Sequence, residues 1–301
     1  MELAFEVGVP YVFPVHDLQH RLQPEFPEVS ADGEWERREY LFKNGCINAA
    51  AILTDSEVGK EDVINCYGSD GVAADRVHVL PYAPLPRPKV GKELQAQIAR
   101  KYNLPPRFLF YPAQFWPHKN HVRLVNAIGR LRSRHHLEIP LVLCGDASGP
   151  LRTAVRDEVL KVARQQGIES SIFLLGYVND LEIAALYQMA TALAFPTFFG
   201  PTNIPVLEAW ATGCPVITSN IRGCREQAGN AAILVDPRCV DSIAEGICKV
   251  WTDPDLRKSL AEAGHARLQF YTLEEFTRRF IRIMETTMSE LTHRLATSVA
   301  S

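Results

Sequence analysis

The stretch TFFGPTNIPVLEAWATGCP, residues 197–215, decides the reading of this chain. It follows an apolar run, Ala192 to Phe195, passes through Gly200, Pro201, Thr202 and Asn203, and enters a helix with Pro205 in its first turn. It leaves that helix at Gly213, with Pro215 beyond. A buried strand thus hands over, through a polar loop, to a helix N-terminus. Unpaired amides and the positive end of the helix dipole make that position favourable for a phosphate, with Asn203 or Thr202 able to cap it otherwise. Glu208 stands about one turn inside, where a carboxylate can accept paired hydroxyls such as those of a ribose. The plainer alternative is that Thr202 and Asn203 only cap and Glu208 only complements the dipole.

Upstream, FLFYPAQFWPHKNH (108–121) has the same logic. An apolar strand delivers Gln114, Trp116, His118 and Lys119 to its carboxyl end just before Asn120 opens a helix. Lys119 can neutralise phosphate there, or it is an ordinary solvated lysine. Near the start, YVFPVHDL (11–18) is a strand that ends in His16 and Asp17. His16 can hydrogen-bond a substrate or exchange a proton near neutral pH, or serve structure alone. The pairs His16/His20 and His118/His121 invite a zinc reading, but neither has a third ligand nearby in sequence, so no metal is expected.

Outward from these segments the pattern is strand and helix in alternation, which is the signature of parallel sheets covered by helices, an α/β class. The first part holds three strands, Tyr11 to Val15, Ala51 to Thr54 and Arg76 to Leu80, with helices over Glu34 to Asn48 and Ser56 to Cys66. Four prolines between 81 and 88 then read as an interdomain linker. After a short helix at Lys92 to Tyr102 come six strands: Phe108–Tyr111, Leu141–Cys144, Ile172–Leu175, Ala192–Phe195, Val216–Thr218 and Ala232–Val235. The intervening helices fall at Asn120–Arg132, Leu151–Gln166, Leu181–Ala190, Pro205–Thr212 and Asp241–Trp251, as a doubly wound domain requires. Leu273 to Leu295 reads as a long amphipathic helix. The expected domains are therefore 1–85, a linker and short helix at 86–104, a complete domain at 105–270, and a C-terminal helix at 271–301 packing back across both.

Composition narrows the function. The 301 residues are 47% hydrophobic, enough for two cores, and 32 Lys plus Arg against 35 Asp plus Glu leave a net charge of -3. No basic excess is present to neutralise a nucleic acid, so none is expected as a partner. No stretch nears the roughly 18 apolar residues of a membrane span, and Glu2 and Glu6 stand where a signal peptide carries basic residues, so a soluble, cytoplasmic protein is expected. The seven cysteines are odd in number and lack any C-x-x-C pair, and they read as reduced thiols that mostly fill the core.

At these residues the chain resembles retaining glycosyltransferases of family 4, whose GT-B fold sets two Rossmann-like domains face to face. The likeness runs from Tyr11 to about Tyr271. It is strongest at YPAQFWPHKNH (111–121), LVLCGDASG (141–149), LLGYVNDLEIAALYQMATALAFPT (174–197) and GPTNIPVLEAWATGCPVI (200–217). The resemblance implies that the later domain binds a nucleoside-diphosphate sugar. Lys119 matches the diphosphate-binding lysine, and Glu208 the second glutamate of an E-x7-E motif that holds the ribose. Thr202, Asn203 and Ile204 match the loop that cradles diphosphate and sugar. Gly145 would lie near the nucleotide, Val178 against its base, and His16 beside the reacting carbon of the donor sugar.

Three departures accompany that likeness. Gly200 stands where the first glutamate of E-x7-E belongs, which leaves its sugar-hydroxyl contact absent or taken over by Thr202 or Asn203. Gln114 replaces the family's diphosphate-binding arginine, keeping hydrogen bonds but losing a charge worth roughly 1–2 kcal/mol to a partly buried phosphate. The family's first βα units have no counterpart before Tyr11, since Met1 to Pro10 reads as the end of a helix; the first domain is expected to be incomplete, by truncation or by a misplaced start. The implied activity is metal-independent, cofactor-free transfer of a sugar to a hydroxyl on a glycan, lipid-linked or small-molecule acceptor, with retention and with His16 and Lys119 as catalytic groups. Peripheral membrane association, a homodimer and a partner subunit stay open. So do two rivals: a nucleotide-sugar isomerase or epimerase, and a partner-dependent nucleotide-sugar-binding protein without activity of its own.

Overall fold

Each apolar run picked out by periodicity becomes a strand in the computed structural model, which describes residues 4–6, 8–84 and 87–299. The described residues form one three-stranded and one six-stranded sheet, every pairing parallel. The chain divides into two compact units, one made of Met1–Ala83 with Phe270–Ser301 and the other of Pro84–Gln269.

In the first unit β1 (Val12–Val15), β2 (Ala51–Thr54) and β3 (Val77–Val79) lie in that order, joined through α1 (Gln19–Leu22), α2 (Glu34–Asn48) and α3 (Glu57–Tyr67). Pro14 is tolerated within β1 because β1 is an edge strand, where the missing N–H faces no neighbour. Ser56 starts α3 by accepting the Gly59 amide at 3.0 Å on its hydroxyl. Phe13, Val15, Ile52, Val63, Tyr67 and Val77 close the core between sheet and helices. Of Met1 to Pro10, read from sequence as a helix end, residues 1–3 and 7 lie outside the described residues, and Ala4–Glu6 form a single 3-10 turn.

The second unit runs through α4 (Lys92–Lys101), β4 (Leu109–Pro112), α5 (His121–His135), β5 (Leu141–Cys144), α6 (Pro150–Gln165), β6 (Ile172–Leu174) and α7 (Asp180–Met189). It continues with β7 (Ala192–Phe195), α8 (Ile204–Ala211), β8 (Val216–Ser219), α9 (Arg222–Ala228), β9 (Ile233–Val235), α10 (Val240–Thr252) and α11 (Pro254–Arg267). The sheet order is β6-β5-β4-β7-β8-β9, so the winding direction reverses between β4 and β7. At such a switch point the loops leaving adjacent strands diverge and open a crevice at the carboxyl ends. The four residues of β5 and of β7 are all buried, as strands covered on both faces must be.

The segment read as a linker and short helix folds with this second unit. Val90 donates to the Gln188 side chain at 3.1 Å, and α4 lays Ile98 against Ala184 and Ala185 of α7. Residues 85 and 86 of that segment lie outside the described residues. The last helix, α12 (Leu273–Val299), belongs to the first unit, where Phe276 and Ile283 cover Ala51, Leu53 and Leu80. Among the described residues no helix is long and apolar enough to cross a membrane. Cys46, Cys144, Cys214 and Cys224 are buried free thiols, Cys66 and Cys248 half-buried, and Cys239 exposed.

Candidate functional site

The exits of β4 and β7, on either side of the switch point, are stitched together by the residues that carry the motifs. A 3-10 turn, Pro117–Lys119, follows β4. The His118 carbonyl accepts the Phe198 amide at 2.8 Å and the Thr197 hydroxyl at 3.2 Å, which fixes one loop against the other. Asn120 precedes α5 in the left-handed region at φ +63, and its amide donates to the Pro196 and Pro237 carbonyls at 2.8 Å each. That conformation suits asparagine among non-glycine residues. The Lys119 ammonium lies 5.3 Å from the centre of the Phe195 ring, so the cation sits at the mouth of both strands. His121 is stacked on Tyr111 and Phe115, with ring centres 4.7 and 4.5 Å away. Burial, reinforced by the charge on Lys119, pushes its pKa down to about 3, so the ring is a neutral packing element.

The loop from β7 to α8 departs from expectation at its cap. Gly200 has φ +145, and a Cβ there would lie 2.3 Å from the Asn203 Oδ1. A side chain there would have to displace the Asn203 amide and take up a backbone conformation that L residues rarely adopt. Asn203 is the N-cap residue of α8, yet its side chain makes no cap bond. It turns inward, donating to the Gly200 carbonyl and to Cys224 Sγ, both at 3.4 Å, and is only 4% exposed. Gln227 clamps the Asn203 backbone from both sides, accepting its N–H at 3.0 Å and donating to its carbonyl at 2.9 Å. The Asn203 side chain thus does not cap α8. Thr202 is half-buried before it, and Ile204 is exposed at the first helical position.

Glu208 is buried on α8 and engaged on both oxygens. Oε2 accepts the Tyr187 hydroxyl at 3.0 Å, and Oε1 accepts Arg87 Nη2 at 2.5 Å. Burial holds the Tyr187 phenol far above its usual pKa, which keeps it a donor. Arg87 also reaches Asp180 Oδ1 at 2.8 Å, so one guanidinium bridges α7 and α8. This arginine lies in the proline-rich run, where the sequence offers only the signal of irregular structure.

Gln114, Gly145 and Val178 meet around one cavity of about 250 Å³ at the ends of β4, β5 and β6, with Cys144, Asp146, Gly176 and Tyr177 also in its wall. Gly145, at φ +147, lets the β5 exit approach Ala113, whose carbonyl would lie 2.3 Å from a Cβ. Burial and then the Glu208 carboxylate push the Cys144 thiol up to about 12. Arg152, a second cation that the motifs did not reveal, bonds Gln114 and Asp146.

In the first unit His16 is exposed at the end of β1, its Nδ1 hydrogen-bonded with the Tyr82 hydroxyl and its ring 5.9 Å from the tyrosine ring. Asp17 accepts Arg38 at 3.1 Å. His20, the other half of one candidate metal pair, is buried, stacked on Phe42 at 5.5 Å and bonded to Glu39 at 3.3 Å.

Residues 95–267 match the family model of glycosyl transferases group 1. O-antigen chain mannosyltransferase B of Escherichia coli is 28% identical over 245 residues, which cover 78% of this chain and 60% of that protein. The Escherichia coli serotype-specific mannosyltransferase WbdA is 24% identical over 262 residues, 84% of this chain and 30% of that protein. The chain therefore spans under two thirds of these relatives. Anabaena Alr3699/HepE, solved in complex with UDP and glucose, superposes with a TM-score of 0.79 at 17% identity, covering 95% of this chain and 76% of that one. The fold class is thus α/β with the two Rossmann-like units of GT-B proteins, and with more than half its length inside the family model the chain belongs to the glycosyl transferases group 1 family.

Proposed function

We propose that this chain takes part in transferring a hexosyl group from a nucleoside-diphosphate sugar to a hydroxyl acceptor with retention of configuration, in the manner of family 4. The observation that carries the reading is the convergence, at one switch point, of the Lys119 cation, the loop Thr202–Asn203–Ile204 opening α8, and the buried carboxylate of Glu208. A departing diphosphate needs positive potential, and the ammonium together with the first amides of α8 supplies it without requiring a resident metal. The sugar C1–O bond to the phosphate breaks as the acceptor oxygen bonds to C1 from the same face. The acceptor's proton then has the departing phosphate oxygen as its nearest base. In this reading Glu208 accepts ribose hydroxyls, Gly145 and Val178 border the nucleoside, Gln114 hydrogen-bonds the diphosphate, and His16 contacts the sugar. The mannosyltransferase names of two relatives and the UDP and glucose of the Anabaena complex make nucleoside-diphosphate mannose donors and UDP-glucose the first to assay.

The test is turnover of that donor panel with anomeric analysis of the product by NMR, together with Lys119→Ala. Loss of one cation from the leaving-group site should lower kcat/KM about 100-fold or more. Unchanged kcat/KM with a confirmed donor would remove Lys119 from the mechanism, and an inverted product would remove retention. The Arg87–Glu208 pair favours one second reading, a donor-binding protein active only with a partner, because the ribose-accepting carboxylate is already occupied. Donor binding without hydrolysis or transfer would support it.

A further inference from the structure

The cavity at the ends of β4, β5 and β6 is bordered by a guanidinium that its shape alone does not explain. Arg152 is the third residue of α6, in a first turn that carries no acidic residue. A cation there opposes the helix dipole, so local helix energetics disfavour it. It is nevertheless held on three sides. Nη1 donates to Gln114 Oε1 at 3.2 Å and pairs with Asp146 Oδ2 at 2.7 Å, Nη2 reaches Ser148 Oγ at 3.4 Å, and the guanidinium lies 4.8 Å from the centre of the Trp116 ring. Asp146 is itself pinned by the Ser148 amide at 2.8 Å and hydroxyl at 2.7 Å. Gln114 and Asp146 both line the cavity. Among the described residues Nη1 hydrogen-bonds Gln114 beside its ion pair with Asp146, Nη2 hydrogen-bonds Ser148, and Nε makes no hydrogen bond, so donors of the guanidinium remain for another acceptor. The positive end of α6 and the guanidinium raise the potential at the same edge.

We infer that Arg152 is a diphosphate-binding cation of this site, with Gln114 acting as its positioning residue through the side-chain carbonyl. The inference rests on the donor reading above and deepens it. A planar fork with donors left over suits phosphate oxygens, and Trp116 and Asp146 hold it in place beforehand, so little side-chain freedom is lost on binding.

Calorimetric titration of the full chain with UDP, GDP, uridine and guanosine tests this. Arg152→Met, which keeps a stem on Trp116, should weaken the diphosphate that the unaltered chain binds by about 10- to 100-fold, while the matching nucleoside changes by less than about twofold. Arg152→Lys, retaining the charge, should lie between the two. Adding Gln114→Arg to Arg152→Met should recover about tenfold of diphosphate affinity, a rescue that a purely structural arginine would not allow. Diphosphate affinity unchanged in Arg152→Met overturns the inference, as does equal loss for nucleoside and diphosphate. Absence of diphosphate binding by the unaltered chain overturns the donor reading itself, and the inference with it.

Discussion

Replacing Arg87 with methionine removes one half of an ion pair whose side chains are 13% and 11% exposed. Glu208 then keeps only the Tyr187 hydroxyl among its named partners, and a carboxylate is left in a site from which water is largely excluded. Breaking a buried pair from one side costs about 3–5 kcal/mol; the surviving Tyr187 bond brings the expectation here to about 2–4 kcal/mol. The second arm of Arg87 adds little, since Asp180 is 91% exposed. Three of the four tryptophans, Trp116, Trp210 and Trp251, lie in the second unit, so urea unfolding followed by tryptophan fluorescence reports mainly on it. Glu208→Gln alone should cost about 1–2 kcal/mol, because Arg87 retains Asp180. The double variant should be more stable than Arg87→Met by about 1 kcal/mol or more, since neither charge is then stranded. Additive losses in the cycle, or an Arg87→Met midpoint equal to that of the unaltered chain, would refute the argument.

Two further outcomes follow from packing at the switch point. His121 has a folded pKa of about 3 against about 6.5 unfolded, so between those values the unfolded chain binds more protons; stability rises with pH across that window and is lost as pH falls through it. His20, also lowered by burial, contributes in the same direction, and His121→Phe should flatten the dependence in urea titrations at several pH values by up to about 1.4 kcal/mol per pH unit. Asn120→Ala strips donors from the Pro196 and Pro237 carbonyls and puts alanine at φ +63, which should cost about 2–4 kcal/mol. Asn120→Gly, free of the dihedral strain, should recover about 1 kcal/mol of that loss, both variants being compared by thermal melt.

Strands such as Leu141–Cys144 were legible because a parallel strand covered on both faces leaves an unbroken apolar run. The helices α9 and α11 were not. The first spans seven residues, and the second buries only Leu260 and Gly264, so neither carries much periodicity. The loop positions of Lys119, Gly145, Val178 and Thr202–Ile204 could be read from strand exits and glycines. What side chains do there could not, because their partners are tertiary. Asn203 is a good capping residue by type, but Cys224 and the backbone of Gly200 claim its amide. Arg87 lies 121 positions from Glu208, among prolines that speak only of irregular chain. Arg152 is 38 positions from Gln114 and looks, in sequence, like any exposed helical arginine.

The first unit is assembled from two stretches of chain, 1–83 and 270–301, separated by the second unit, which is one uninterrupted stretch, residues 84–269. Synthesis reaches Phe276 and Ile283 only after the whole second unit, and until they arrive Ala51 and Leu80 lack the cover of the last helix. A stop codon placed just after 269 should therefore spare the second unit and leave the other with bare apolar surface, the kind of half-product that chaperones retain.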